Sequence, residues 1–170
     1  PDDKEINVAA KNSRRLLRLV NQLLDFQKLE AGKQELKLAP VNLARFVFIC
    51  GDYFASACST KEIEFSTSLN GETVDAETTP LHILGEVDAL EKVTFNFLSN
   101  ALKYTPQGSQ IELGLTTTPN KARLYISDTG PGISKEGQEK LFQVFSQVDE
   151  TTTRDYEGTG LGLALVKSLT

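Results

Sequence analysis

The order of its apolar patterns is the feature that most limits what this sequence can fold into. Apolar residues recur every three or four positions from about Val8 to Ala31, which predicts a helix with a wide apolar stripe. Strand and helix patterns then follow in mixed order, and the predicted strands lie next to one another in pairs. We therefore expect an α+β fold, a two-layer α/β sandwich with helices on one face of a mixed sheet.

The boundaries of these segments follow from the apolar spacing and from residues that interrupt helices and strands. Pro40 and Asn42 are expected to end the first strand, and Asp88 is expected to be the N-cap of the helix that runs to about Tyr104. The predicted strands and helices are strand 35–41, helix 43–59, strand 63–69, a weaker strand 81–87, helix 88–104, strand 110–116, strand 123–127 and a helix from about residue 161.

We divide the chain at residue 32, with a helical element over residues 1–32 and one α/β domain over residues 33–170. A chain of 170 residues typically holds one domain, with room for an appended element. The helix is either an ordinary core helix or one arm of a bundle whose partner helix lies outside the chain, and we favour the bundle. Pro1 begins the sequence and no Met occurs in it, so we expect a piece of a longer protein.

Composition excludes some classes of function. The net charge is -5, which argues against a nucleic-acid surface built on bulk positive charge. No run of about 18 apolar residues exists, so no membrane contact is expected within this chain. Cys50 and Cys58 lie eight residues apart, about 12 Å along one helix and beyond disulfide reach, so we expect reduced thiols in a cytosolic protein.

Two glycine clusters flank a long polar connection over residues 128–158. The first, at 128–133, follows an apolar strand; its Asp128 can accept a hydrogen bond from the exocyclic amine of a base, and its glycines allow close approach to the backbone. The second, at 158–162, begins a helix, and its bare amide groups suit phosphate. Either cluster alone is often only a turn. Together, separated by a connection of a length that is usually functional, they favour a nucleotide site.

The helix that begins near Asp88 carries a third set of polar residues. Asn96 and Asn100 are four residues apart and share one helix face, and Lys103 lies close to both. Amide oxygens suit Mg²⁺, which usually shares its other positions between water and phosphates, and a lysine can neutralise a phosphate as a point charge. Standing alone, these residues could also be a solvated amide face.

Four motifs in this order resemble those of the sensor histidine kinases of two-component systems. The string Asn-Phe-Leu-Ser-Asn-Ala-Leu-Lys-Tyr-Thr-Pro at 96–106 resembles their N box, and residues 128–132 resemble their first glycine box. Residues 141–145 resemble the F box and residues 158–163 the second glycine box. Residues 23–32 are similar to the second helix of the family's dimerisation domain.

The resemblance implies a Bergerat-type ATP-binding fold of the GHKL superfamily and protein-histidine kinase activity, with ATP and Mg²⁺. Asn96, Asn100 and Lys103 would be the catalytic residues, with Asn100 as the metal ligand. Asp128 would hold the adenine amine, and residues 134–157 would form a lid anchored by Phe142 and Phe145. The nucleotide-binding residues that the resemblance implies are Asn96, Asn100, Lys103, Tyr104, Asp128, Gly130, Gly132, Ile133, Phe145, Arg154, Gly158, Thr159, Gly160, Leu161, Gly162 and Leu163, with Arg154 at the γ-phosphate.

The resemblance also implies partners and a location. The partners would be the receiver domain of a response regulator and a second copy of the full-length protein, bound through the dimerisation helices. The region would be cytoplasmic. The family's phosphoacceptor histidine lies on the first dimerisation helix, which is absent here, and the one histidine, His82, lies in a predicted strand. We therefore expect this chain not to autophosphorylate. The strands that follow the second glycine box in the family are also absent here.

Two other functions were weighed. ATPases with the same fold place a glutamate at the position of Asn96, where it takes a proton from water, and an amide cannot do so. A nucleotide-binding module without catalysis is the second alternative. The presence of Asn100, Lys103, Asp128 and Gly160 argues against it, and a nucleotide titration would distinguish it.

Overall fold

The structure is a computed structural model that describes residues 37–75 and 77–141, single positions of the N-terminal helix and Leu163. The chain forms two compact units. One is Leu36–Ser134, and the other combines Pro1–Glu35 with Lys135–Thr170. The predicted domain boundary at residue 32 stays a prediction.

The described residues of the Leu36–Ser134 unit form six strands and two helices. In chain order they are β1 (Ala39–Asn42), α1 (Leu43–Thr60), β2 (Glu64–Leu69), β3 (Glu72–Thr73), β4 (His82–Gly85), α2 (Val87–Tyr104), β5 (Gln110–Thr118) and β6 (Lys121–Asp128). A short helix, α3 (Lys135–Lys140), belongs to the other unit.

The main sheet has the strand order β3-β2-β5-β6. β2 and β5 run parallel, from the pair Glu64 and Gln110 to the pair Leu69 and Leu115, and the other neighbours are antiparallel. A parallel pair needs a crossover connection, and here α2 lies in that connection. β1 and β4 form a separate antiparallel pair. The predicted mixed sheet is therefore confirmed.

The core lies between the two helices and one face of the main sheet. Successive residues of a strand point to opposite faces, and Ile111, Leu113 and Leu115 of β5 are all buried on the face that packs against the helices. α1 contributes Val47 and Phe54 to this core, among others. The aromatic rings of α1 and α2 also meet, because Phe95 stacks on Tyr53 at 5.3 Å and meets Phe54 edge-on at 5.2 Å. The predicted two-layer sandwich is confirmed.

Two local predictions are wrong. Pro40 does not end β1 but lies inside it, opposite Leu84, which is tolerated because this two-stranded sheet consists of edge strands. The N-cap of α2 is Glu86 and not Asp88, which lies in the first turn, where its negative charge interacts favourably with the helix dipole. Asn42 is the last residue of β1, as predicted, and also caps α1, where its Oδ1 accepts a hydrogen bond from the Arg45 amide at 3.2 Å. The short helix α3 lies within the polar connection predicted over residues 128–158.

The described positions of the N-terminal segment are helical, as predicted. Four of its apolar residues are exposed to between 44% and 63%, namely Leu16, Leu17, Val20 and Leu24. Among the described residues, no helix combines the length and the apolar character that crossing a membrane requires.

Candidate nucleotide-binding site

α2 positions the first group of predicted residues. Thr94, Leu98 and Ala101 are buried and hold one face of the helix on the core, which leaves Asn96 and Asn100 half-buried beside that face. The Asn96 side-chain amide donates to the Lys92 carbonyl at 2.8 Å, so its own oxygen points away from that bond. Asn100 makes no side-chain hydrogen bond within the described residues. Two amide groups on adjacent turns are thus available to a ligand.

Lys103 lies at the end of the same helix. Its Nζ donates to the Tyr104 hydroxyl at 3.0 Å and lies 4.6 Å from the centroid of the Tyr104 ring. Lys103 is half-buried, whereas Tyr104 is 56% exposed. The positive charge of Lys103 therefore lies one helical turn from Asn100, on the part of α2 that presents the neutral amides of Asn96 and Asn100. This part of α2 is suited to binding an anionic group.

Asp128 ends β6 and is directly opposite Ile111 of β5. Directly opposed residues share a face of the sheet, and Ile111 faces the helices, so Asp128 lies on the helix side of the sheet. Its Oδ1 accepts a hydrogen bond from the Gly130 amide at 2.9 Å. Within the described residues, Oδ2 has no partner. The carboxylate is therefore held by one oxygen and offers the other as an acceptor.

The first glycine cluster reaches the end of α2 through Gly130. A methyl group on Gly130 would lie 2.7 Å from Oδ1 of Asp128, 3.5 Å from Oγ1 of Thr105 and 3.6 Å from Cα of Thr105. The contact with Thr105 would be an ordinary one, whereas the contact with Asp128 would force its carboxylate to shift. The loop continues through Gly132, with a φ of +72°, to Ile133, which is 48% exposed. The fold thus brings together Asp128 and the helix that carries Asn96, Asn100 and Lys103.

Thr105 and Thr129 are residues of this site that the sequence analysis missed. The Gln110 amide donates to Oγ1 of Thr129 at 2.9 Å, and the Thr129 amide donates to the Gln110 carbonyl at 3.1 Å, which ties the loop after β6 to the start of β5. Thr105 is buried against Gly130. Their only signal in the sequence is that each directly follows a predicted site residue, Tyr104 or Asp128.

A cavity of about 170 Å³ at the same end of the sheet does not match the predicted site. Its lining residues include Glu64, Glu112 and Asp128, and the carboxylates of Glu64 and Glu112 would repel a phosphate. Glu112 is opposite Ser127 and so lies on the sheet face away from the helices. The remaining lining residues are Ser66, Gln110, Ile111, Ser127 and Thr129.

The other reactive groups of the unit do not form a second site. Cys50 and Cys58 are free and buried. Burial, followed by the Glu91 carboxylate, raises the pKa of the Cys50 thiol from 9.0 to about 12. Burial also raises the pKa of Cys58, although Lys61 opposes that shift. Neither thiol is a nucleophile at neutral pH. His82 is exposed in β4, paired with Asn42, as expected for a histidine in a strand.

Part of the predicted site lies outside the described residues. These positions are Phe145, Arg154, Gly158, Thr159, Gly160, Leu161 and Gly162. Leu163 is described as a half-buried helical residue. Their roles stay predictions. The described part of the chain contains no cluster of three or more His, Cys, Asp or Glu residues that could hold a metal ion.

Comparison with known proteins gives consistent matches. Residues 85–170 match the family described as histidine kinase-, DNA gyrase B- and HSP90-like ATPases. The chain is 38% identical, over 96% of its length, to hybrid signal transduction histidine kinase D of Dictyostelium discoideum. It is similar to full-length ShkA, whose crystal structure is a complex with AMPPNP, with a TM-score of 0.80, 29% identity and 99% of this chain covered.

A third likeness concerns the fold alone. The histidine kinase ThkA, solved in complex with the response regulator TrrA, has a TM-score of 0.65 over 85% of this chain at 23% identity, and the match covers 40% of that chain. The chain spans 10% of hybrid kinase D and 34% of the ShkA chain.

Proposed function

Because the chain belongs to the family of histidine kinase-, DNA gyrase B- and HSP90-like ATPases, we propose that it is the ATP-binding catalytic region of a sensor histidine kinase. The reaction would transfer the γ-phosphoryl group of ATP to a histidine on a dimerisation helix outside this chain. One observation carries the proposal beyond family membership: Gly130 lies so near Thr105 that an added methyl group would touch it, which places the Asp128 loop beside the helix of Asn96, Asn100 and Lys103.

Each end of the site would bind a different part of ATP. Oδ2 of Asp128 is an acceptor without a partner in the described residues, so it would accept a hydrogen bond from the exocyclic amine of adenine. Lys103 would break its hydrogen bond to the Tyr104 hydroxyl and would neutralise phosphate oxygens instead. Tyr104 would contact the nucleoside with its exposed ring. Gly130, Gly132 and Ile133 would line the base, and the amides of 158–163 would bind the phosphates.

Mg²⁺ fits the residues present. The Asn100 amide is half-buried, has no side-chain hydrogen bond within the described residues and lies on the turn next to Asn96. An amide oxygen is a hard ligand that suits Mg²⁺. Asn100 would hold the ion, which when bound would supply positive charge to offset the charge that develops in phosphoryl transfer. The protein itself would position ATP, with Asn96 and Lys103 beside the phosphates, and would exclude water from them.

The same residues favour phosphoryl transfer over hydrolysis. Hydrolysis would need a group near the γ-phosphate that takes a proton from water, and Asn96 is an amide that cannot act as that base. None of the three catalytic residues proposed on α2, Asn96, Asn100 and Lys103, is a carboxylate. An ATPase function is therefore the weaker candidate.

The proposed partners would bind the longer protein of which this chain is the catalytic region. The exposed apolar side chains of the N-terminal helix, including Leu16 and Leu17, support a homodimer through dimerisation helices, since burying one leucine contributes about 1.5–3 kcal/mol. A response regulator receiver domain would take the phosphoryl group from the histidine. The region would act in the cytoplasm.

Titration with nucleotide and a phosphorylation assay test this function. We expect calorimetry to show that the chain binds Mg-ADP. After incubation with labelled ATP it should carry no acid-labile phosphate, because His82 is exposed in β4 and no predicted site residue is paired with it in the β1-β4 ladder. Absence of Mg-ADP binding by the folded chain would refute the nucleotide site. Label on His82 would refute the assignment of the acceptor to another helix.

A further inference from the structure

A buried hydroxyl beside the first glycine cluster has no role in the site as described. Thr105 is the C-cap residue of α2, and its amide donates to the Ala101 carbonyl at 2.9 Å. The residue is only 4% exposed, and its Oγ1 has no hydrogen-bond partner within the described residues. Nearly all buried hydroxyls are hydrogen-bonded, because an unpaired one loses its contact with water and gains nothing. A partner is therefore expected in another state of the protein.

The surroundings of Thr105 show which group can be that partner. A methyl group on Gly130 would lie 3.5 Å from Oγ1 of Thr105 and 2.7 Å from Oδ1 of Asp128. The two oxygens are therefore no more than 6.2 Å apart, and a rotamer change of either side chain or one bridging water could join them. Asp128 is acceptor-only when ionised, and the hydroxyl is a donor, so the two are complementary.

We propose that Thr105 is a positioning residue for base recognition, a role that rests on the proposed function. With nucleotide bound, its hydroxyl donates to the Asp128 carboxylate, directly or through one water, and fixes the orientation in which Asp128 accepts from the base. The Gly130 amide holds the same carboxylate from the other side. Base binding thus completes a hydrogen bond that the free protein leaves unmade. A hydrogen bond to a carboxylate is roughly twice as strong as one between neutral groups, so this bond should raise the affinity for the base.

The chain offers a matched control on the same helix. Thr94 is 1% exposed, and its Oγ1 also lacks a partner within the described residues. It lies eleven residues before Thr105, about three turns away along α2 and remote from the glycine loop. Valine has nearly the shape of threonine, so Thr94→Val and Thr105→Val each remove one unbonded hydroxyl. Neither change is expected to lower the melting temperature of the free protein.

The test is calorimetric titration of the whole chain with ADP and with GDP in Mg²⁺, together with thermal melting. Thr105→Val is expected to weaken ADP binding about ten-fold and to narrow the preference for ADP over GDP, while Thr105→Ser restores both. Thr94→Val is expected to match the wild type within about two-fold in both respects. A loss of packing alone would not change the ratio of the two nucleotides.

Several results would overturn this role. One is wild-type ADP affinity and selectivity in Thr105→Val. Another is an equal loss in Thr105→Ser or in Thr94→Val, which would assign the effect to packing. A third is a lowered melting temperature of free Thr105→Val, which would mean that the hydroxyl is already bonded without nucleotide. Absence of ADP binding by the wild type would instead refute the nucleotide site itself, so the two failures are distinguishable.

Discussion

Replacing Gly130 by alanine tests whether the contact between the glycine loop and α2 builds the site. The added methyl would lie 2.7 Å from Oδ1 of Asp128, closer than carbon and oxygen normally approach. On its other side it would lie 3.5–3.6 Å from atoms of Thr105, an ordinary contact with a residue that is only 4% exposed. The exposed carboxylate is the group that can move, so the substitution should displace it and break its 2.9 Å bond to the Gly130 amide.

The magnitude follows from that one bond. A hydrogen bond to a charged group contributes about 1.5–3 kcal/mol, and water replaces part of it at an exposed carboxylate, so we expect ADP binding to weaken by roughly 1–2 kcal/mol, about 5- to 30-fold. Gly130 does not have a positive φ, so alanine is compatible with its backbone. The unfolding free energy should therefore change by less than about 1 kcal/mol.

Calorimetric titration with Mg-ADP and thermal melting measure the two effects separately. Gly85→Ala is the control, because a methyl on Gly85 in β4 would meet only the flexible ends of Ile83 and Leu90, at 3.4 and 3.5 Å. That variant should bind ADP as the wild type does. Wild-type ADP affinity in a folded Gly130→Ala variant would show that the position of the Asp128 carboxylate does not govern base binding.

Three further predictions concern single side chains. Asn100→Ala should weaken ADP binding by about 1–3 kcal/mol when Mg²⁺ is present and should change it little when a chelator removes the metal. If titration shows an equal loss in both conditions, Asn100 is not a metal ligand. Asp128→Asn should lower the affinity for ADP and reduce the preference for ADP over GDP in parallel titrations, because an amide can present a donor as well as an acceptor. A folded variant with unchanged selectivity would contradict the role of Asp128. The folded Cys50 thiol has its pKa raised from 9.0 to about 12, so only the unfolded chain loses this proton between those values, and stability should fall as pH rises above about 9. Melting curves from pH 8 to 10.5 should show a shallower fall for Cys50→Ala, and parallel curves for both proteins would contradict the buried neutral thiol.

Local patterns in the sequence predicted most elements and the residue types of the site. The helix predicted over 43–59 is observed as Leu43–Thr60, and the one expected from Asp88 to Tyr104 is observed as Val87–Tyr104. These patterns succeed because helix and strand periodicities depend on neighbours within a few residues. The spacing of Asn96, Asn100 and Lys103 on one helix was predictable for the same reason.

One missed element had a readable local signal. β3 pairs with β2 across Asn70 and Gly71, which both have positive φ, at 53° and 88°. An Asn-Gly pair is a strong signal for a two-residue hairpin turn. The strand after the turn is only two residues long, Glu72–Thr73, too short to show an alternating pattern.

The tertiary structure alone decided which of these elements meet. No local pattern predicts that β2 runs parallel to β5, from Glu64 and Gln110 onward, although these residues are 46 positions apart. Nor does one predict that Pro40 fits inside β1 because, among the described residues, β4 is the one strand paired with it. The contact of Gly130 with Thr105, which completes the site, is of the same kind. Such contacts depend on how closely two distant backbones can approach, which is set by the packing of the whole core around Leu98 and Ile111 rather than by the identity of adjacent residues. The sequence by itself therefore determined which polar side chains are available to this protein, and the packing determined that the Asp128 carboxylate lies close to the helix that carries Asn96, Asn100 and Lys103.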